Sequence, residues 1–197
     1  MKRVIIATNN AHKVTEIRDT FADMGWECLS LKEVGIQSDP EENGTTLVEN
    51  ARIKARAAHE LSGCAVLADD SGLLVDALDG APGVYSSRYA GEDASDGDNN
   101  ELLLKNLAEV APEDRKAHFS CVLVFIDEDG SETVAEGRVD GLIGFEERGN
   151  EGFGYDPLFL PDDFGNEKTF SELGLEEKQK VSHRARALSQ LASQLQG

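Results

Sequence analysis

The chain has 197 residues, of which 38 are acidic and 19 basic, for a formal charge of −19, with 40% hydrophobic and 29% charged residues. So acidic a surface excludes nonspecific attraction to nucleic acid or to an anionic membrane, and a polyanionic ligand would need a local cluster of cations or a metal. The length suits one globular domain, 1–197, while apolar runs too short for a bilayer and an N-terminus unlike a signal peptide lead to an expected cytoplasmic location.

In chain order, Val4-Ile5-Ile6-Ala7 reads as a buried first strand ending in the polar turn Thr8-Asn9-Asn10-Ala11-His12-Lys13. Val14, Ile17, Phe21 and Met24 then recur at helical spacing up to Gly25, and Glu27 to Leu31 is a candidate second strand. After a polar, turn-rich stretch from Glu33 to Gly44, Thr46 caps a helix carrying Leu47, Ala51, Ala55, Ala58 and Leu61, with Gly63 placed to end it. Cys64 to Ala68 is the next buried strand, expected to stop at a turn Asp69-Asp70-Ser71-Gly72. A short helix is expected over Asn99–Val110, a strand over Ala117–Ile126, a hairpin turn at Asp127-Glu128-Asp129-Gly130 and a return strand from Glu132 to Val139. Gly141 to Gly165 is rich in glycine, aromatics and proline, and one helix is expected over Glu176–Leu195. Helices and strands interleave early and a hairpin follows, which predicts an α/β fold with a mixed sheet. Cys28, Cys64 and Cys121 are odd in number and far apart, so they read as buried thiols rather than a metal site or disulfide framework.

Chemistry concentrates at a few places. Asp69 and Asp70 deliver adjacent carboxylates from an apolar strand, where they repel unless a cation or proton separates them: either a hard divalent metal is their partner, or the segment is a solvated turn of ordinary loop residues. The turn at Thr8 to Lys13 has amides, a hydroxyl and a lysine at a helix N-terminus, the makings of a phosphate cradle, although Asn and Thr are equally ordinary helix caps. Asp39-Pro40-Glu41-Glu42 precedes the second helix, on which Asn50 and Lys54 share a face. Its carboxylates could join Asp70 around a metal, or simply complement the helix dipole. Phe153-Gly154-Tyr155-Asp156-Pro157 suggests either a flat ligand stacked on a ring beside the Asp156 carboxylate or a tight aromatic turn. Lys178 and Ser182-His183-Arg184 gather basic groups near the C-terminus, the usual composition of a solvated helix face.

Taken in order, these residues resemble the inosine triphosphate pyrophosphatase family, which hydrolyses deaminated purine nucleoside triphosphates to monophosphates. The motifs are Thr8-Asn9-Asn10-x-x-Lys13, Glu41-Glu42-x-Gly44-x-Thr46 with Glu49-Asn50-Ala51 and Lys54, Ala68-Asp69-Asp70-Ser71-Gly72-Leu73, Gly80-Ala81-Pro82-Gly83-Val84-Tyr85-Ser86 with Arg88-Tyr89, Gly152-Phe153-Gly154-Tyr155-Asp156-Pro157 and Ser182-His183-Arg184. Departures are small: Asn9 stands where glycine is frequent, Asn43 replaces a common threonine or aspartate, and Asn150-Glu151 alters a small-residue loop.

The resemblance implies an elongated α/β domain with a long mixed sheet, two lobes flanked by helices, a central cleft and a homodimer. It implies Mg²⁺ held by Glu42, with Glu41, and Asp70, and catalysis by Asp70 as the base for water, with Lys54. Thr8, Asn9, Asn10, Lys13 and Lys178 would serve the phosphates, and Ser71 would touch the nucleotide. Phe153, with Gly154 and Tyr155, would stack the base, Asp156 would accept a ring N–H, and His183 and Arg184 would donate to the 6-oxo group of the purine. The substrates expected are XTP, ITP and dITP. Two other readings are a related pyrophosphatase for modified pyrimidine or 7-methylguanosine triphosphates, and a nucleotide-binding regulator without turnover. A phosphatase of the haloacid dehalogenase type is disfavoured because adjacent Asp69 and Asp70 cannot supply its D-x-D spacing.

Overall fold

The computed structural model describes residues 2–196; Met1 and Gly197, the ends of the span expected to form one domain, lie outside the described residues. Period-two alternation sets its first layers. In β1 (Lys2–Ile6), Val4 and Ile6 enter one core and Ile5 another, and in β3 (Ala65–Val75) Ala65 and Leu67 oppose Val66 and Ala68 in the same way. β1 pairs in parallel with β2 (Trp26–Ser30) and with β3, and a register that sets Val4 beside both Cys28 and Ala65 keeps like-facing residues together. The six-stranded sheet has the order β2-β1-β3-β4-β5-β6, with β4 (Lys116–Ile126) and β5 (Glu132–Ile143), the latter antiparallel to β6 (Phe159–Pro161). The expected α/β fold with a mixed sheet is what forms.

The chain divides into two compact units, one of Met1–Asp70, Cys121–Gly137 and Arg184–Gly197, the other of Ser71–Ser120 and Arg138–His183. In the first, helices α1 (Ala11–Phe21) and α6 (His183–Gln196) contribute Val14, Ile17, Phe21, Ala187, Leu188 and Leu191 to the core with Val4, Ile6, Leu67 and Leu123. The opposite face takes α2 (Leu47–Ser62), whose Ala51, Ala55 and Ala58 pack with Ile5, Val66, Ala68 and Val124. In the second unit, Leu103 of α3 (Asp96–Asn106) and Phe170 of α4 (Phe170–Leu173) join Leu73, Val75, Phe119, Val139, Ile143 and Phe159 in a third core.

Four expectations change. β3 does not stop at Ala68; it runs through Asp69-Asp70-Ser71-Gly72 to Val75, because Leu73 and Val75 resume the buried alternation and Gly72 lets the chain pass close to Gly83. A Cβ at Gly72 would stand 2.4 Å from the Gly83 carbonyl oxygen. The single C-terminal helix is two, α5 (Leu175–Val181) and α6, separated by extended backbone at Ser182. The helix expected from Asn99 starts at Asp96 and ends at Asn106, since Ser95 and Asp98 close a capping box on its first turn. β5 continues to Ile143 and meets β6, a strand too short to show a period. Among the described residues no helix is long and apolar enough to cross a membrane. Cys28 and Cys121 are buried and Cys64 half-buried, with none in a disulfide.

Candidate active site

Consecutive strand residues face opposite ways, and that rule divides the two carboxylates. Asp69 continues the Ala65, Leu67 face, toward α1 and α6; Asp70 continues the Val66, Ala68 face, toward α2. Asp69 is buried, with Lys13 Nζ 2.8 Å and Arg184 Nε 3.3 Å from its Oδ2, while Arg184 Nη1 reaches Glu16 Oε2 at 2.6 Å. Burial would raise the Asp69 pKa, but Lys13, Arg184 and Lys54 hold it well below the usual carboxylate range. Asp69 is therefore a fixed anion that moors two cations.

Asp70 behaves differently. Its Oδ1 and Glu42 Oε2 each lie 3.0 Å from Lys54 Nζ. Burial pushes the Asp70 carboxyl above its ordinary value, against the pull of Lys54, so it holds a proton more readily than its neighbour. Burial also opposes charge on Lys54, yet Asp70, Asp69 and Glu42 outweigh it and keep the ammonium protonated. A capping box between Thr46 and Glu49 starts α2, and Asn50 Oδ1 accepts the Gly44 N–H at 2.8 Å, folding the loop that carries Glu42 back onto the helix. Gly44 is required there, because a Cβ would come within 2.6 Å of Asn50 Oδ1.

In the turn before α1, Thr8 Oγ1 accepts the Asn10 N–H at 3.2 Å and Asn10 Oδ1 accepts the Lys13 N–H at 3.3 Å. The turn is thus shaped by its own side chains, with Asn9 exposed at its tip.

A second cluster lies in the other unit. Asp156 Oδ2 accepts the Phe153 N–H at 3.0 Å and pairs with Lys178 Nζ at 2.5 Å, and the same ammonium stands 4.6 Å from the centre of the Phe153 ring. Phe153 is half-buried, whereas the Tyr155 ring is packed in the core with its hydroxyl donating to the Ser86 carbonyl at 2.8 Å. His183 lies flat on Phe119, the ring centres 4.9 Å apart and the planes 12° from parallel. Gly152 has φ +86°, and a Cβ there would fall 2.2 Å from Asp156 Oδ2. Gly152→Ala is expected to cost about 2 kcal/mol, from positive-φ strain and displacement of Asp156. Urea unfolding measures this, and unchanged stability would show the turn to be plastic.

The sequence model of the Ham1 family matches residues 4–194. The chain belongs to the Ham1 family. A Haemophilus influenzae protein named dITP/XTP pyrophosphatase is 51% identical over 98% of this chain and 99% of its own. A Clostridium perfringens protein of the same name is 49% identical over 100% of this chain and 98% of its own. A HAM1 protein from Coxiella burnetii superposes with a TM-score of 0.91 at 39% identity, covering 100% of this chain and 99% of that one.

Within this Ham1 scaffold the expected residues fall into sets. Lys13 joins Asp69, and Glu42, Lys54 and Asp70 form one cluster, while the Glu41 side chain is exposed and takes no part in it. Lys178, expected on the phosphates, is seated against Asp156 and Phe153. Arg184 is committed to Asp69 and Glu16 through two of its nitrogens. Ser71 is half-buried in β3. Sequence reasoning passed over Glu16 and Phe119. The available signals were Glu16 lying three residues after Lys13 on α1, and Phe119 sharing a strand face with Ala117 and Cys121.

Proposed function

We propose that this Ham1-family chain hydrolyses deaminated purine nucleoside triphosphates, dITP, XTP and ITP, to the monophosphate and pyrophosphate. The observation that carries the reading is the convergence of Asp70 and Glu42 on Lys54, on the strand face opposite the Asp69 ion pairs. The substrate class comes from relatives named dITP/XTP pyrophosphatase.

The donors suit Mg²⁺. Two carboxylates aim at one ammonium, and among the described residues no group of three His, Cys, Asp or Glu side chains could hold a metal unaided. Mg²⁺ characteristically takes one or two carboxylates and completes its shell with water and substrate phosphates. Glu42 and Asp70 would hold it, with Glu41 nearest in sequence, and when bound it supplies charge neutralisation to the polyphosphate.

The chain's own groups supply the rest. Asp70 accepts the proton of a water as the water oxygen bonds to the α-phosphorus and the bond to the bridging oxygen breaks, releasing pyrophosphate. Lys54 steadies the charge that develops, and Lys13 with Thr8, Asn9 and Asn10 receives phosphate oxygens. Ser71 is assigned a nucleotide contact. Phe153, next to Gly154 and Tyr155, is assigned base stacking, with Asp156 accepting a ring N–H while Lys178 neutralises it. His183, held by Phe119, donates to the 6-oxo group; any share of Arg184 falls to N–H groups not already given to Asp69 and Glu16. An adenine would set an amino donor against these donors, a mismatch of about 1–3 kcal/mol per bond. The same reading carries a single working domain, a homodimer and a cytoplasmic location.

The test is turnover of ITP, XTP, dITP, GTP and ATP with magnesium, scoring pyrophosphate against orthophosphate. Pyrophosphate from the first three, with loss of activity in a chelator, is the expected result. Orthophosphate as the primary product would move the cleavage site and defeat the reading.

A further inference from the structure

We propose that Asp96 and Asn100, on the first turns of α3, are positioning residues that set the base-stacking turn at Phe153 and Gly154, and so govern preference among bases rather than phosphate chemistry. The inference rests on the proposed function and adds residues that it does not use. Asp96 and Asn100 are one helical turn apart and share a face. From that face Asp96 Oδ2 accepts the Gly154 N–H at 2.7 Å, and Asn100 Nδ2 donates to the Gly154 carbonyl at 3.1 Å and to Glu147 Oε1 at 2.7 Å. Both polar ends of one residue are gripped by the same helix.

That grip is made through the backbone, since glycine has no side chain to hold the turn. Gly154 is at φ +62°, and a Cβ built on it would meet nothing within 4 Å. The backbone at Gly154 is held by hydrogen bonds. On one side of it, Phe153 gives its N–H to Asp156; on the other, Tyr155 is anchored by its hydroxyl to Ser86. Releasing Gly154 removes both hydrogen bonds from the residue that follows Phe153, leaving the ring to its contact with Lys178 and the Phe153 N–H to Asp156. Asn99 extends the arrangement, accepting the Ala90 N–H at 2.8 Å and donating to the Ser87 carbonyl at 3.3 Å beside that Ser86 anchor. The start of α3 is itself pinned by the Ser95 and Asp98 capping box. Asp96 is exposed and Asn100 buried, so the two can be removed with different consequences for folding.

The experiment compares Asp96→Ala, Asp96→Asn and Asn100→Ala with the unmodified protein, measuring kcat and KM for dITP and dATP with magnesium alongside thermal melting. Asp96→Ala is expected to raise KM for dITP about ten-fold, with kcat within about two-fold and the melting temperature nearly unchanged. Asp96→Asn retains an acceptor for the Gly154 N–H and should restore KM. Asn100→Ala should repeat the KM effect, and if it melts early the exposed Asp96 pair decides. A KM for Asp96→Ala equal to that of the unmodified protein, or an equal loss of kcat on dITP and dATP, overturns the inference. An unmodified protein that leaves dITP intact condemns the functional reading instead, so the two failures are told apart.

Discussion

Asp70→Asn is expected to lower kcat for dITP by about a hundred- to ten-thousand-fold while the nucleotide still binds. Asparagine keeps the size of the side chain and an oxygen for Lys54, but it cannot take a proton from water. The expected loss is therefore in the chemical step, seen as pyrophosphate release, and calorimetry should find dITP affinity within about ten-fold of the starting value. Stability supplies the control. Burial disfavours charge on Asp70, and although Asn withdraws a partner from Lys54, Glu42 and the amide oxygen remain beside that ammonium, so the melting temperature should change little. A collapsed rate in a protein of similar stability isolates catalysis from folding. A rate near normal would remove Asp70 from the base role, and a parallel loss of stability would mean that the carboxylate holds the unit together.

Periodicity made most of this fold legible, because Val4, Ile5 and Ile6 on β1 or Ala51, Ala55 and Ala58 on α2 declare their faces locally. What stayed hidden was decided at long range. Asp69-Asp70-Ser71-Gly72 has the composition of a turn, yet it lies inside a strand that Leu73 and Val75 continue, its buried carboxylates met by Lys13, Lys54 and Arg184 from distant parts of the chain. Ser182 breaks the C-terminal helix without a glycine or proline to announce it. The site followed the same division. The aromatic turn and the polar turn before α1 stand out by composition, whereas Glu16 and Phe119 look like ordinary helix and strand residues until Arg184 and His183 are found against them. The sequence also could not say that Lys178 would be paired with Asp156, since both charges are common on solvated surfaces and only burial makes them need each other.

Asp69→Ala is expected to cost about 3–5 kcal/mol of stability, the usual penalty for removing one partner from a buried ion network. Arg184 is only 2% exposed, and without Asp69 its charge would be shared with Glu16 alone. Lys13 would lose the anion that moors it but has some access to water, so most of the penalty belongs to Arg184. The melting temperature should fall by about 10 °C or more, and molar salt should rescue little, because buried pairs are weakly screened. A second substitution separates a stranded charge from a lost contact. If the penalty is the unpaired guanidinium, Asp69→Ala combined with Arg184→Leu should recover much of the loss, since an apolar pair of similar volume is often as stable as the ion pair it replaces. If the two losses simply add, Asp69 is holding the strand by some other means. A cost below about 1 kcal/mol for Asp69→Ala would sink the account altogether, because a charge so weakly missed must already be solvated. Activity gives the independent reading: if Lys13 receives phosphate oxygens as proposed, unmooring it should raise KM for every nucleoside triphosphate alike, in contrast to the base-dependent effect expected from Asp96→Ala.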